Sequence, residues 1–356
     1  MRQALPIAAL LSCLAPPAWA TPWSLEGHAA ADVGYDSNVY RNFEDVTYDP
    51  SLPGNGEIIG DGFLQLDGDL DLVGRPWAHQ QTELTAQLGS RLFLTQSPED
   101  TVVGQATLTH NIALTRKLVL RFDASGKDKW VDDDDRAYAD YGGGVGLSIG
   151  PFWRTRLDLR AGYLAFDYFP DSDFSEQGPV FSATVISSPW RKQTIFAGYR
   201  LLPQFYQGPQ IYYPDGTTSG QRFDWYHVVS AGYSWQGPVV LSATYSFIYD
   251  NSNAYGESLL RHRVEVLAGF SLPWELYLVA TGALQFTSFP GGLYLSPELL
   301  LLEDDDDLDE ISVKISRDLG KGFGLEARYG YYRNDLQQNG LTYERQVAYV
   351  GVVYRH

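Results

Sequence analysis

The chain has 356 residues, a formal net charge of −18, and 24 Tyr, 17 Phe and 9 Trp. So acidic a chain argues against nucleic acid as a partner, because attraction to phosphate needs basic surface. Nothing after the first twenty residues approaches the roughly eighteen consecutive apolar residues of a transmembrane helix, and a single cysteine, Cys13, leaves no intrachain disulfide to form.

Residues 1–20 read as a signal peptide. Met1-Arg2 is the positive start, Leu5 to Leu14 is apolar but short, and Ala18-Trp19-Ala20 is a small-x-small cleavage pattern. Cleavage there starts the mature chain at Thr21 and removes Cys13. A rival reading makes Cys13 a lipidated residue after Leu10-Leu11-Ser12, a pattern that Leu11 and Leu14 fit poorly.

Residues 21–356 carry no linker or change of composition, so one domain is expected there. One unit repeats along them: an alternating segment, a short turn, a returning segment, then a longer polar loop. Alternation puts one set of side chains on each face of a strand. The pattern predicts strands near 27–36, 62–73, 81–94, 103–115, 118–130, 137–149, 154–168 and 179–188. It predicts eight more near 193–202, 223–235, 239–249, 261–272, 276–287, 309–319, 322–333 and 343–355. In 83–94, Leu84, Ala86, Leu88, Leu92 and Leu94 oppose Glu83, Thr85, Gln87 and Arg91; in 118–129, Leu118, Leu120, Phe122 and Ala124 oppose Arg121, Asp123, Ser125 and Lys127. Gly142-Gly143-Gly144 and Pro203 weaken the strand pattern near them, and Leu299 to Leu302 put an apolar run inside a polar loop.

Short turns such as Arg75-Pro76-Trp77 and Pro273-Trp274-Glu275 alternate with long loops near 37–61, 203–222 and 288–308. Short turns on one side, long loops on the other and an even strand count are the pattern of a membrane-spanning barrel. The expectation is therefore an all-β chain: a single antiparallel transmembrane β-barrel of about sixteen strands with both termini periplasmic. Trp77, Trp153, Trp190, Trp235 and Trp274 fall at the short-turn end, as a periplasmic aromatic girdle would. Tyr35, Tyr168, Tyr249, Phe286 and Tyr331 fall near the long loops as a candidate outer girdle.

The face opposite the apolar one is strongly polar, as a wet bore requires. Asp67, Asp69 and Asp71 form an acidic ladder beside Glu83, and Arg121, Lys127, Lys129, Arg156 and Arg160 form a basic ladder a few strands away. Facing walls of opposite charge filter solutes by charge and orientation. The same residues can instead brace the wall through pairs with Asp123 and Asp158.

Acidic runs at Asp132 to Asp135 and Glu303 to Asp307, continuing to Asp309-Glu310, read as solvated loops without calcium-loop spacing. No metal, cofactor or catalytic group is expected. The six histidines lack ligand spacing, although His110 and Ser90 both fall on the lipid-facing side, where such a pair could resemble a barrel phospholipase.

As a whole the strand pattern resembles Gram-negative outer-membrane barrels. Gly34-Tyr35-Asp36-Ser37-Asn38-Val39-Tyr40-Arg41 is similar to the first strand and loop of porin-like barrels linked to exopolysaccharide export and surface-lipoprotein assembly. The resemblance implies a channel for polar solutes or an exported polysaccharide. Implied partners are outer-membrane lipid and lipopolysaccharide, the outer-membrane assembly machinery and periplasmic export partners. The alternatives are an interaction barrel docking partners through its outer loops, or the lipid-acting enzyme. Such chains commonly finish on an aromatic residue, whereas this one finishes Tyr354-Arg355-His356.

Overall fold

The computed structural model describes residues 23–42, 56–132, 137–211, 218–292, 309–336 and 341–356. Among these, sixteen strands follow one another. They are β1 (Trp23–Asp36), β2 (Asp61–Gly74), β3 (Gln80–Phe93), β4 (Thr101–Thr115), β5 (Leu118–Val131), β6 (Tyr138–Phe152), β7 (Thr155–Tyr168) and β8 (Glu176–Ser187). The second half has β9 (Gln193–Ile211), β10 (Thr218–Gln236), β11 (Val239–Ser252), β12 (Leu259–Leu272), β13 (Leu276–Ser288), β14 (Asp309–Gly320), β15 (Phe323–Leu336) and β16 (Leu341–Arg355). Each pairs antiparallel with its chain neighbours, and β1 closes on β16 through a register running from His28↔Arg355 to Asp36↔Val347. Closure leaves no sheet edge, which a backbone in hydrocarbon cannot tolerate.

Side chains divide by parity. Val33, Leu66, Leu88, Leu108, Val145 and Val266 are large, apolar and exposed on the outer face. So much contiguous apolar surface is stable only against lipid. Outward charges stand near strand ends: Asp128 beside Tyr141, and Arg333 with Glu344 3.7 Å away, lie toward the long loops, with Arg317 toward the short turns. The opposite parity carries the polar side chains into the bore, where Asp32, Asp36, Asp224, Glu326 and Arg345 are buried.

Several expected features sit differently. The long loop expected at 203–222 is mostly strand, because β9 and β10 continue pairing from Trp225↔Pro203 out to Thr218↔Ile211. Pro203 interrupts nothing in that pairing. Tyr168 is not part of an outer girdle: it shares the parity of Arg156 and Arg160, pairs with Tyr138 and is buried inside. Tyr35, Tyr249 and Phe286 do face outward and are exposed. Asp309 and Glu310, the end of the second acidic run, begin β14 where the strand at 309–319 was expected, and Glu310 bonds Arg328 at 3.1 Å. The expected signal peptide, most of both acidic runs and Leu299 to Leu302 lie outside the described residues.

The glycine run at 142–144 is continuous strand with a local reason. Inward Gly144 lies between Asp123 of β5 and Gly162 of β7. Arg160 reaches across it to Asp123, with Nε 3.1 Å from either carboxylate oxygen. A Cβ at Gly144 would stand 3.0 Å from that Nε and 2.9 Å from the Ala161 carbonyl. Gly144→Val will displace the guanidinium and lower stability by about 1–3 kcal/mol. Its urea unfolding midpoint against wild type checks this, and an unchanged midpoint would mean Arg160 has another route.

Candidate functional site

The acidic ladder follows from the two-residue period of β2. Asp67, Asp69 and Asp71 point inward at successive steps, and Glu83 is inward on β3 opposite Val73. Neutral donors hold two of these carboxylates: Gln65 Nε2 donates to Asp67 at 2.7 Å and Thr85 Oγ1 to Asp71 at 2.7 Å. Asp69 meets His28 Nδ1 at 2.8 Å.

The basic ladder is more mixed than a plain row of cations. Arg156 lies 3.0 Å from Asp158, and Arg160 is clamped on Asp123, so both arginines brace their own wall. Arg121 Nε donates to Asn111 at 3.1 Å. Lys127 and Lys129 lie over the ring of Tyr138, at 5.2 and 5.5 Å from its centroid, in cation–π contact, and Lys127 is paired across the strands with Asp140.

Part of each ladder shares one space. A cavity of about 510 Å³ inside the barrel is lined by Asp67, Asp69, Lys127 and Lys129. Asp71, Glu83, Arg121, Arg156 and Arg160 are not in its lining. One rung of paired inward residues crosses it: Asp69↔Gln87, Gln87↔Gln105 and Gln105↔Lys127 join carboxylate to ammonium through two carboxamides. With strands about 4.8 Å apart, the ends of this rung are roughly 14 Å apart between Cα atoms. The rung runs along one stretch of wall, so acidic and basic side chains line the same cavity from strands three apart.

The roof of the cavity is the motif that opens the chain. Val39 and Arg41 line it, although they belong to the loop after β1. The loop is tied down by Asp36, fully buried, whose carboxylate takes Arg345 Nε at 3.0 and 2.9 Å and the Asn38 N–H at 3.1 Å. Asn38 Nδ2 donates to the Asn42 carbonyl at 2.8 Å and the Glu344 carbonyl at 3.1 Å, and Tyr40 Oη donates to Gln96 at 2.7 Å. Arg91 joins from β3, 3.9 Å from Asp36. These residues were not expected at the site. Arg345 shares inward parity with Val347 and Tyr349, which was the available signal, but its partner is 309 residues away.

The five tryptophans all lie at or beside short turns, with Trp77, Trp153, Trp190 and Trp274 exposed and Trp235 half-buried. Trp153 and Trp274 occupy left-handed backbone, at φ 50° and 63°. On the outer face, His110 and Ser90 do not form a pair. His110 faces Thr82, with Nδ1 2.9 Å from its hydroxyl, while Ser90 faces Val102. Eight residues of β3 separate Thr82 from Ser90, roughly 27 Å at the rise of a strand. No proton passes directly between side chains at that distance.

No protein-family profile and no curated protein matches the sequence. Solved structures match its fold. The outer membrane channel DcaP of Acinetobacter baumannii aligns with a TM-score of 0.54 at 14% identity, over 94% of this chain and 97% of that one. An anion-selective porin from Comamonas acidovorans aligns at 0.51 and 10%, over 95% and 100%. The fold is that of an outer-membrane β-barrel. A bacterial polysaccharide outer membrane secretin aligns at 0.47 and 9%, over 93% and 98%, too loosely to speak for a cargo.

Proposed function

We propose that this barrel is a porin-like channel of the bacterial outer membrane, passing small polar solutes, and that the cavity under the first outer loop is its selective section. The observation carrying this reading is the single space lined by Asp67 and Asp69 of β2 and by Lys127 and Lys129 of β5. The fold likeness to a channel and a porin supports it. The loop roofing the cavity favours small solutes over a polysaccharide strand, which needs a clear bore. In this reading the exposed tryptophans seat the short-turn rim in the headgroup region, with lipopolysaccharide around the outer rim.

Planar-bilayer recording tests the proposal. Purified, folded protein will give discrete conductance steps, and its reversal potential in a salt gradient will report charge preference. Asp67→Asn with Asp69→Asn will move that potential toward anion preference, and Lys127→Gln with Lys129→Gln toward cation preference. A folded barrel that passes no current at any voltage would retire the channel reading. Unchanged reversal potentials in both pairs would remove the cavity from its selectivity.

A further inference from the structure

A second polar cluster sits inside the barrel at the outer ends of β8 to β11, apart from the cavity. Four carboxylates gather around the guanidinium of Arg222, which stacks 3.9 Å over the ring of Tyr206. Arg222 Nη2 lies 2.7 Å from Asp224 Oδ2 and 3.3 Å from Glu257 Oε2. Glu176 is bonded by the amide nitrogen of Gln204. The fourth, Asp250, forms no ion pair among the described residues. Asp224 is fully buried and Asp250 is 6% exposed, and ionised carboxylates at such depth are costly unless compensated.

Among the described residues three oxygens in this cluster meet no donor: Asp224 Oδ1, Asp250 Oδ1 and Gln204 Oε1, all buried. Strand register brings them together on the inner face. Gln204 pairs directly with Asp224, and Asp250, opposite Tyr226, is the diagonal neighbour of Asp224. Diagonal neighbours on one face lie roughly 7–8 Å apart, so their side chains can converge on one atom. The orientation of the amide is set, because its nitrogen is committed to Glu176. Three acceptors that lack donors among the described residues, two of them carboxyl oxygens, present the chemistry of a hard-cation site rather than of a hydrogen-bond network.

We propose that Asp224, Asp250 and Gln204 bind a divalent cation of the Ca²⁺ type through oxygen, with water completing its shell. Among the described residues no three His, Cys, Asp or Glu side chains are arranged around a metal position; the set here is two carboxylates and one carboxamide. The ion would neutralise the charge that Arg222 leaves over. It would also tie the extended β9–β10 hairpin to β11. The site is independent of conduction, so the channel reading and this one can fail separately.

Calorimetric titration of the chelator-treated, detergent-folded barrel with CaCl₂ tests the proposal, with heat-modifiable gel migration to show that each variant is folded. Wild type will bind one Ca²⁺ that is lost in Asp250→Asn or weakened by about tenfold or more, since ligand charge sets affinity in oxygen sites. Gln204→Ala will weaken it less. Migration of wild type will shift to higher temperature with Ca²⁺, and that of Asp250→Asn will not. Absence of saturable binding by wild type would overturn the proposal and leave a proton as the compensating charge. Equal stoichiometry and affinity in folded Asp250→Asn would overturn it too, by placing bound Ca²⁺ elsewhere on this acidic chain.

Discussion

Asp36→Ala will lower the stability of the folded barrel by about 3–5 kcal/mol, the expected cost of stranding a buried charge. Arg345 is 3% exposed and Asp36 fully buried, so neither can turn to water when its partner is removed. Arg345 holds the carboxylate through Nε and Nη2, and the same carboxylate accepts the Asn38 N–H that begins the turn of the first loop. The loss is therefore double: a buried guanidinium deprived of the carboxylate that takes its Nε and Nη2, and a loop without its anchor. Removing both charges together, as Asp36→Leu with Arg345→Leu, will recover much of the stability, because desolvating a pair offsets most of its attraction. It will not recover the loop, since leucine accepts no hydrogen bond. Urea unfolding followed by tryptophan fluorescence measures the first effect. Conductance measures the second, and a released loop will raise it in both variants. Should the double variant be as unstable as the single one, packing rather than charge would govern this corner.

The barrel itself was legible because its signal is redundant. Each strand repeats the same two-residue alternation, so an error at one end of a segment does not disturb the face assigned to its middle. Leu88 and Gln87, or Phe122 and Arg121, take the faces their alternation assigns. Ends were less legible because alternation says nothing about where pairing stops. In β9 and β10, Pro203 and the polar residues after it suggested a loop, yet backbone pairing continues to Ile211 and Thr218. That extension carries Tyr206 and Arg222, and reading them as loop hid the second polar cluster. Tyr168 shows a different error, with nearness to a long loop weighed above parity. The charged ladders were legible as faces but not as pairs: the pattern puts Arg160 inward, but only the glycine trough over β6 shows that it crosses a strand to Asp123. The Asp36–Arg345 pair joins the two ends of the chain across the closing seam, where no local pattern reaches.

The division of faces makes the last expectation quantitative. Leu88→Arg will cost about 2–4 kcal/mol in a bilayer, whereas Gln87→Arg, one residue away, will cost far less. Leu88 lies midway along β3, is 52% exposed on the outer face, and has Gly68 and Gly104 as its neighbours across the two adjoining strands. An arginine there must bend toward one interface, draw water inward, or stretch across Gly104 toward the outward carboxylate of Asp128 on β5. Replacing Asp128 with Asn in the same variant separates the cost of lipid exposure from any relief by that carboxylate. Gln87 instead faces the bore between Asp69 and Gln105, and a guanidinium there meets water and a carboxylate. Its effect will appear in current, as a shift toward anion preference, and not in stability. Reversible unfolding from lipid vesicles measures both variants on one scale. Equal costs would mean that β3 does not present these faces to lipid and bore, and the wall assignments of Asp67, Asp69, Lys127 and Lys129 would fall with it, since all are read from the same register.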